Sequence, residues 1–282
     1  MQSANNLREL YLDNNNIRSE GFNELFRALR HSPVESLSCD SCGIESIDID
    51  SDHIPKNLKS LHLNHNIINT DGCHGIAKLL QGVDSALTIL YLIGNKIDDN
   101  GVGILVDALQ NNKSLTILNM KRNDEISKQG QILLLKLVNN VSFIKSTLQS
   151  NRTLKSLSLE ILDADEDIQR HIIMATQINT KNKNNPEAAG REKVIQTQLH
   201  SEIRAELAVL QGVNQSLYSE INPLHLPEVL SLVDQHHGQG ELYVALKSSI
   251  AGVISTVNRK QCLTTAKVVL QGQNSTPQCH NS

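Results

Sequence analysis

Leucines and isoleucines return in this chain at a fixed spacing. LRELYLDNNNI from Leu7, LKSLHLNHNII from Leu58 and LTILYLIGNKI from Leu87 share the template L-x-x-L-x-L-x-x-N. LTILNMKRNDEI from Leu115 repeats it with one extra residue before its isoleucine. The starts at 58, 87 and 115 are 29 and 28 residues apart, and the 51 residues from Leu7 to Leu58 leave room for one more unit. Apolar positions two apart predict a short strand that turns its leucines to a core. Each unit then reaches a glycine. Gly21, Gly72 and Gly101 lie fourteen residues after the first leucine and Gly130 fifteen. Apolar residues follow at +4, +7 and +8: Leu25, Ala28 and Leu29; Ile76, Leu79 and Leu80; Leu105, Ala108 and Leu109; Leu134, Leu137 and Val138. That spacing is one face of a helix.

A unit of one strand, one turn and one helix cannot bury its leucines alone. Stacked units share a continuous core, with parallel strands about 4.8 Å apart on one side and helices on the other. Asn15, Asn66, Asn95 and Asn123 fall in one slot, where a ladder of side-chain amides would satisfy backbone groups of the turns. Over roughly residues 5 to 162 the pattern resembles the leucine-rich repeat of the ribonuclease-inhibitor-like type, with units of 28 to 29 residues. The resemblance implies an α/β solenoid with parallel strands on a concave face and helices on a convex face.

Two units depart from the pattern. VESLSCDSCGI from Val34 puts Cys39 in a leucine slot and Cys42 in the asparagine slot, and the unit is only 24 residues long because IESIDIDSDHIPKN stands where the glycine-led helix should be. An extended or single-turn segment is expected there. LKSLSLEIL from Leu154 begins 39 residues after Leu115, with VSFIKSTLQSNRT as the surplus and Leu162 in the asparagine slot. The solenoid is expected to end there. The domain reading is therefore a repeat domain at 1–162, a polar linker at 163–193, a helical C-terminal region at 194–258 and a poorly ordered tail at 259–282. Helices are expected at 194–211, behind Pro227, and from about Leu242 to Ile254, as an all-helical cap on the solenoid or a bundle beside it. No polar unit precedes Leu7, so the first leucines would be bare unless a longer solenoid or a partner covers them.

Composition narrows the function classes. The 282 residues carry a net charge of −4 and seven aromatic residues without Trp, so the core is built from many small Leu, Ile and Val sites. No basic stripe or nucleic-acid-binding motif occurs, and nucleic acid is not an expected partner. The N-terminal MQSANNLREL has no signal-peptide character and no apolar run is long enough to span a membrane. No membrane association is expected, and the location expected is cytoplasmic, with the nucleus as the other option. Five cysteines fit reduced thiols better than a disulfide framework.

Candidate chemistry is thin. A zinc site at Cys39 and Cys42 would need two more ligands, and an extended chain separates their Cα atoms by about 10 Å, beyond the reach of a disulfide at about 7 Å. His62 and His65 lie on a strand and in its turn, and the acidic run Asp163, Asp165, Glu166 and Asp167 lacks a calcium-loop pattern. No phosphate loop, nucleophile elbow or zincin motif is present. No catalytic residue, metal, cofactor or small-molecule substrate is expected.

Recognition is the function left. Residues alternating with the core leucines face outward and define a strip. Its candidate protein-binding residues are Tyr11, Asp13, His62, Asn64, Ile89, Tyr91, Ile93, Asn119 and Lys121. The polar Ser38 and Asp40 are expected to face outward beside the cysteines. Ile89, Tyr91 and Ile93 make an apolar cluster around an aromatic, the type of group that anchors interfaces. The reading is a non-enzymatic scaffold that binds another protein through its concave face. The alternative is a GTPase regulator, since glycine-led repeats of this type also resemble the GTPase-activating protein of the Ran system; Arg18 is then the candidate polar group.

Overall fold

The computed structural model describes residues 6–49, 54–83, 85–160, 162–198 and 201–213. Six short strands form one parallel sheet in sequence order: β1 (Glu9–Tyr11), β2 (Ser36–Ser38), β3 (Ser60–His62), β4 (Ile89–Tyr91), β5 (Ile117–Asn119) and β6 (Ser156–Ser158). The register is unslipped. Leu10, Leu37, Leu61, Leu90, Leu118 and Leu157 stand side by side at the strand centres. Between strands run α1 (Arg18–Ala28), α2 (Thr70–Gln81), α3 (Asp99–Gln110), α4 (Lys128–Val138) and the short α5 (Ile144–Gln149). After β6 come α6 (Glu166–Lys181), α7 (Pro186–Gln198) and α8 (Ser201–Leu210). The chain divides into two compact units, Met1–Val194 and the remainder from Ile195.

The repeat core is the one the leucine spacing predicts. Leu58, Leu61, Leu63 and Ile68 of one unit, and Leu87, Leu90, Leu92 and Ile97 of the next, are all buried. Each such side chain contributes roughly 1.5–3 kcal/mol over leaving it in water. In the first described unit Leu7 is 44% exposed. The buried face of α1 is also turned from the expected one. Phe22 and Phe26, 5.5 Å apart between ring centroids, are buried. The expected Leu25 is half-buried and Ala28 exposed.

The asparagine slot carries the turns. Asn66 accepts from the N–H groups of Cys42 (2.9 Å) and Ile44 (3.0 Å) and donates to the carbonyls of Cys39 and Asn64. Asn95 and Asn123 do the same one and two units on, accepting from Ile68 and Ile97 and donating to Leu63 and Leu92. At Cys42 the thiol donates to Leu12 O at 3.1 Å, replacing one arm of the amide. Seven residues into each of the first five units one residue is left-handed: Asn14, Ser41, His65, Gly94 and Arg122, with φ between 54° and 66°. Only one of the five is glycine, so composition does not reveal this turn.

In the short unit the described residues at 43–49 and 54–57 contain no helix. Ile47 and Ile49 are buried two apart, the period of extended chain. From one side α1 satisfies this segment: Ser19 Oγ accepts from the N–H groups of Glu45 and Ser46, and Asn23 Oδ1 from that of Asp48. From the other side α2 presents glycines. A Cβ on Gly75 would lie 2.0 Å from the carbonyl oxygen of Ile47, and one on Gly72 2.7 Å from that of Glu45.

Beyond β6 the structure differs from the expected linker. Residues 166–181 form α6, which packs on α4 and β6 and buries Ile168, Ile172, Ala175 and Ile178. These four make a narrow stripe among polar neighbours, which is why the stretch reads as solvated in sequence. Leu162, placed in the asparagine slot by spacing, is 85% exposed. The anchor there is the buried Gln131, which donates to Asp163 O and accepts from the Asp165 N–H. Lys193 of α7 is fully buried in the first unit, its Nζ donating to the carbonyls of Val138 (2.6 Å) and Asn151 (2.9 Å). The helix expected at 194–211 is represented by the end of α7 and by α8. The helices expected after Pro227 and from Leu242 to Ile254, and the tail at 259–282, lie outside the described residues.

Candidate functional site

Strand register sets out the face opposite the core. One file runs Tyr11, Ser38, His62, Tyr91, Asn119 and Ser158; the parallel file runs Glu9, Ser36, Ser60, Ile89, Ile117 and Ser156. Two different chemistries share this face.

Over β1 to β3 it is polar and internally committed. Tyr11 is 63% exposed and its hydroxyl donates to Glu9 Oε2 at 2.7 Å, a bond to a carboxylate that holds the phenol above its ordinary range. Asp13 Oδ1 accepts from the Ser38 hydroxyl and from the Asp40 N–H. Asp40 accepts from both the backbone and the side-chain N–H groups of Asn64, at 2.7 and 2.8 Å. Asn64 Oδ1 in turn accepts from the Ile93 N–H at 2.9 Å. Each side chain thus holds the strand end of the following unit. Ser38 and Asn64, expected to face outward, are buried at 3% and 8% exposure because this chain of bonds draws them in.

Over β3 to β5 the face turns apolar. Ile89, Tyr91, Ile93 and Ile117 are all half-buried. The His62 ring meets Tyr91 edge-on, with centroids 4.7 Å apart and planes at 74°. Its Nε2 shares a 2.8 Å hydrogen bond with the Ser60 hydroxyl. Edge-to-face packing fixes the Tyr91 ring in a defined pose. Asn119 Oδ1 accepts from the Lys121 N–H, and Lys121 Nζ pairs with Glu160 at 2.7 Å, keeping that carboxyl below its usual range. The structure therefore brings His62, Ile89, Tyr91 and Ile93 together, with Asn119 and Lys121 on the next unit. It sets Tyr11 and Asp13 three strands away. Sequence spacing does not foresee a 370 Å³ hollow beside Lys121 and Glu160, where Gln169, Ile172 and Ile173 of α6 face β6.

The remaining candidates resolve plainly. Cys39 and Cys42 are buried free thiols; burial, followed by the charges of Cys42 and Asp13, pushes Cys39 up to about 12. Thiols so protonated are poor nucleophiles and metal ligands. His65 occupies a left-handed turn, apart from the strand file of His62. Among the described residues no three His, Cys, Asp or Glu side chains come together to hold a metal ion. No helix among them is long and apolar enough to cross a membrane. Arg18 opens α1 at φ 59°, exposed, with Nε donating to Asn16 Oδ1 at 3.1 Å.

The family model described as Leucine Rich repeat matches residues 3–22 and 55–77, two of the units that share the template. With its stacked strand–turn–helix units, the fold is a leucine-rich-repeat solenoid. No curated protein matches this leucine-rich-repeat chain. Among solved structures it is similar to the tropomodulin C-terminal domain of Caenorhabditis elegans, at 14% identity and a TM-score of 0.41, covering 64% of this chain and 89% of that one. It is also similar to actin-binding site 2 of leiomodin-1, at 15% identity and a TM-score of 0.44, covering 68% and 91%.

Proposed function

We propose that this leucine-rich-repeat chain is a non-enzymatic scaffold of the ribonuclease-inhibitor-like type. In this reading it takes a protein partner on the open face of its sheet, and its place is cytoplasmic. The observation that carries the proposal is the apolar cluster of Ile89, Tyr91, Ile93 and Ile117, half-exposed on a sheet face whose other half is polar. Such a cluster, rimmed by Asn119 and Lys121 and holding a pre-oriented aromatic ring, has the make-up of an interface anchor. The acidic and amide groups over β1 to β3 support it as a rigid floor.

Photo-crosslinking tests the face directly. A benzoylphenylalanine in place of Tyr91 is expected to cross-link a discrete protein in extract of the native cell. The same probe in place of the fully exposed Val83, just beyond α2, is expected not to. Identical products from both positions would contradict the assignment.

A further inference from the structure

A second surface lies where the repeat loses its period. Between Leu115 and Leu154 the unit lengthens to 39 residues, and the surplus, including α5, opens a groove of about 1040 Å³. Its walls are the last turns of α3 and α4, the short α5, the segment entering β6 and residues 183–187. Insertions in repeat proteins map to one face and often serve binding.

The groove is strongly basic. Lys113, Lys136, Arg152, Lys155 and Lys183 line it, against two carboxylates, Asp107 and Glu187, in a chain whose overall charge is −4. Among the described residues none of these five cations is in an ion pair, whereas Lys59, Lys96, Lys121, Lys128 and Lys181 each hold a carboxylate within 4 Å. Cations gathered near helix C-termini often serve to complement the helix dipole. Here neighbouring carbonyls already have donors: Asn112 binds Leu80 O, Asn151 binds Leu109 O and Lys193 binds Val138 O. The five cations outnumber the two carboxylates and leave a net positive field in a cleft, where low-dielectric walls concentrate it.

We propose that this groove binds an acidic, extended segment of a partner protein. The exposed amides of Gln110, Asn111 and Gln149 on its rim can both donate to and accept from a peptide backbone. No aromatic side chain lines the groove to stack a base, and Asp107 and Glu187 interrupt the cations that a nucleic-acid backbone would track. Peptide chemistry therefore fits better than a nucleic acid. This surface is separate from the apolar cluster on the sheet, so either assignment can fail without the other.

Fluorescence anisotropy of the full chain with a labelled ten-residue polyglutamate peptide, and with a ten-nucleotide oligothymidylate, tests the proposal. Wild type is expected to bind the peptide, more weakly as salt rises, and more tightly than the oligonucleotide. Lys113→Glu plus Lys183→Glu, both exposed positions, is expected to weaken the peptide at least tenfold, and Arg152→Gln to weaken it less. Lys78→Glu on α2 plus Lys96→Glu in the turn before α3 is expected to leave it within about twofold, with circular dichroism unchanged throughout. No peptide binding by wild type, equal losses in the two double variants, or tighter binding of the oligonucleotide would each overturn the assignment.

Discussion

At Gly75 the smallest side chain decides whether a unit can do without its helix. The extended segment of the second unit lies so close to α2 that a Cβ at this position would sit 2.0 Å from Ile47 O, a backbone atom that cannot swing aside. Gly75→Ala is expected to cost at least ~2 kcal/mol through forced backbone displacement. Gly103, inside α3, makes the matched control, because its added Cβ meets nothing nearer than Leu133 Cδ1 at 4.0 Å. Gly103→Ala is expected to stabilise by about 0.5–1 kcal/mol, since alanine loses less backbone freedom than glycine in a helix. Urea unfolding of the two variants measures both signs. The Cys39 and Cys42 pair belongs to this scale as well. Two thiols three apart look like chemistry, yet each occupies a repeat slot, and Cys42 does part of an asparagine's work.

Elements differed in how readable they were. The strands and the glycine-led helices α2, α3 and α4 follow from sequence because two independent signals agree: a period of two that gives way to 3.6, and a glycine fourteen or fifteen residues after the first leucine. The structure adds the caps. Asn69, Asp98 and Ser127 each accept from an N–H in the first turn of their helix. The helix α6 was not readable, because its stripe of Ile168, Ile172, Ala175 and Ile178 is broken by His171, Thr176 and Asn179, which are buried polar residues. The committed polar half of the sheet face was also hidden. Alternation tells which way a residue points but not that Asp13, Asp40 and Asn64 bind the next strand end.

The docking of α7 carries a pH signature at this scale. Burial, with the nearby charge of Arg152, pulls Lys193 down to about 7. Its unfolded value is near 10.4, so between these limits the unfolded chain binds the extra proton and stability rises with pH. Below about 7 both states are protonated and the dependence ends. Thermal melts of wild type from pH 7 to pH 9.5 are expected to show this rise, and Lys193→Met to flatten it. A melting temperature that falls over this range in wild type, and equally in the variant, would contradict the buried-lysine account.

At the scale of the whole molecule, function follows from what stacking leaves uncovered. Burying the leucines consumes one face of every strand and one face of every helix, so specificity has to come from positions the repeat does not constrain. Those positions are distributed unevenly: an acidic, hydrogen-bonded half and an apolar half on the sheet face, and a basic groove at the irregular unit. The central claim is that the apolar half is a protein interface. Quantitative affinity capture from the native cell, comparing wild type with Tyr91→Ala plus Ile93→Asp at equal amounts of folded bait, tests it most directly. The account predicts that the proteins enriched by wild type fall at least tenfold on the double variant. Recovery of the same partners in the same amounts from both baits would contradict it.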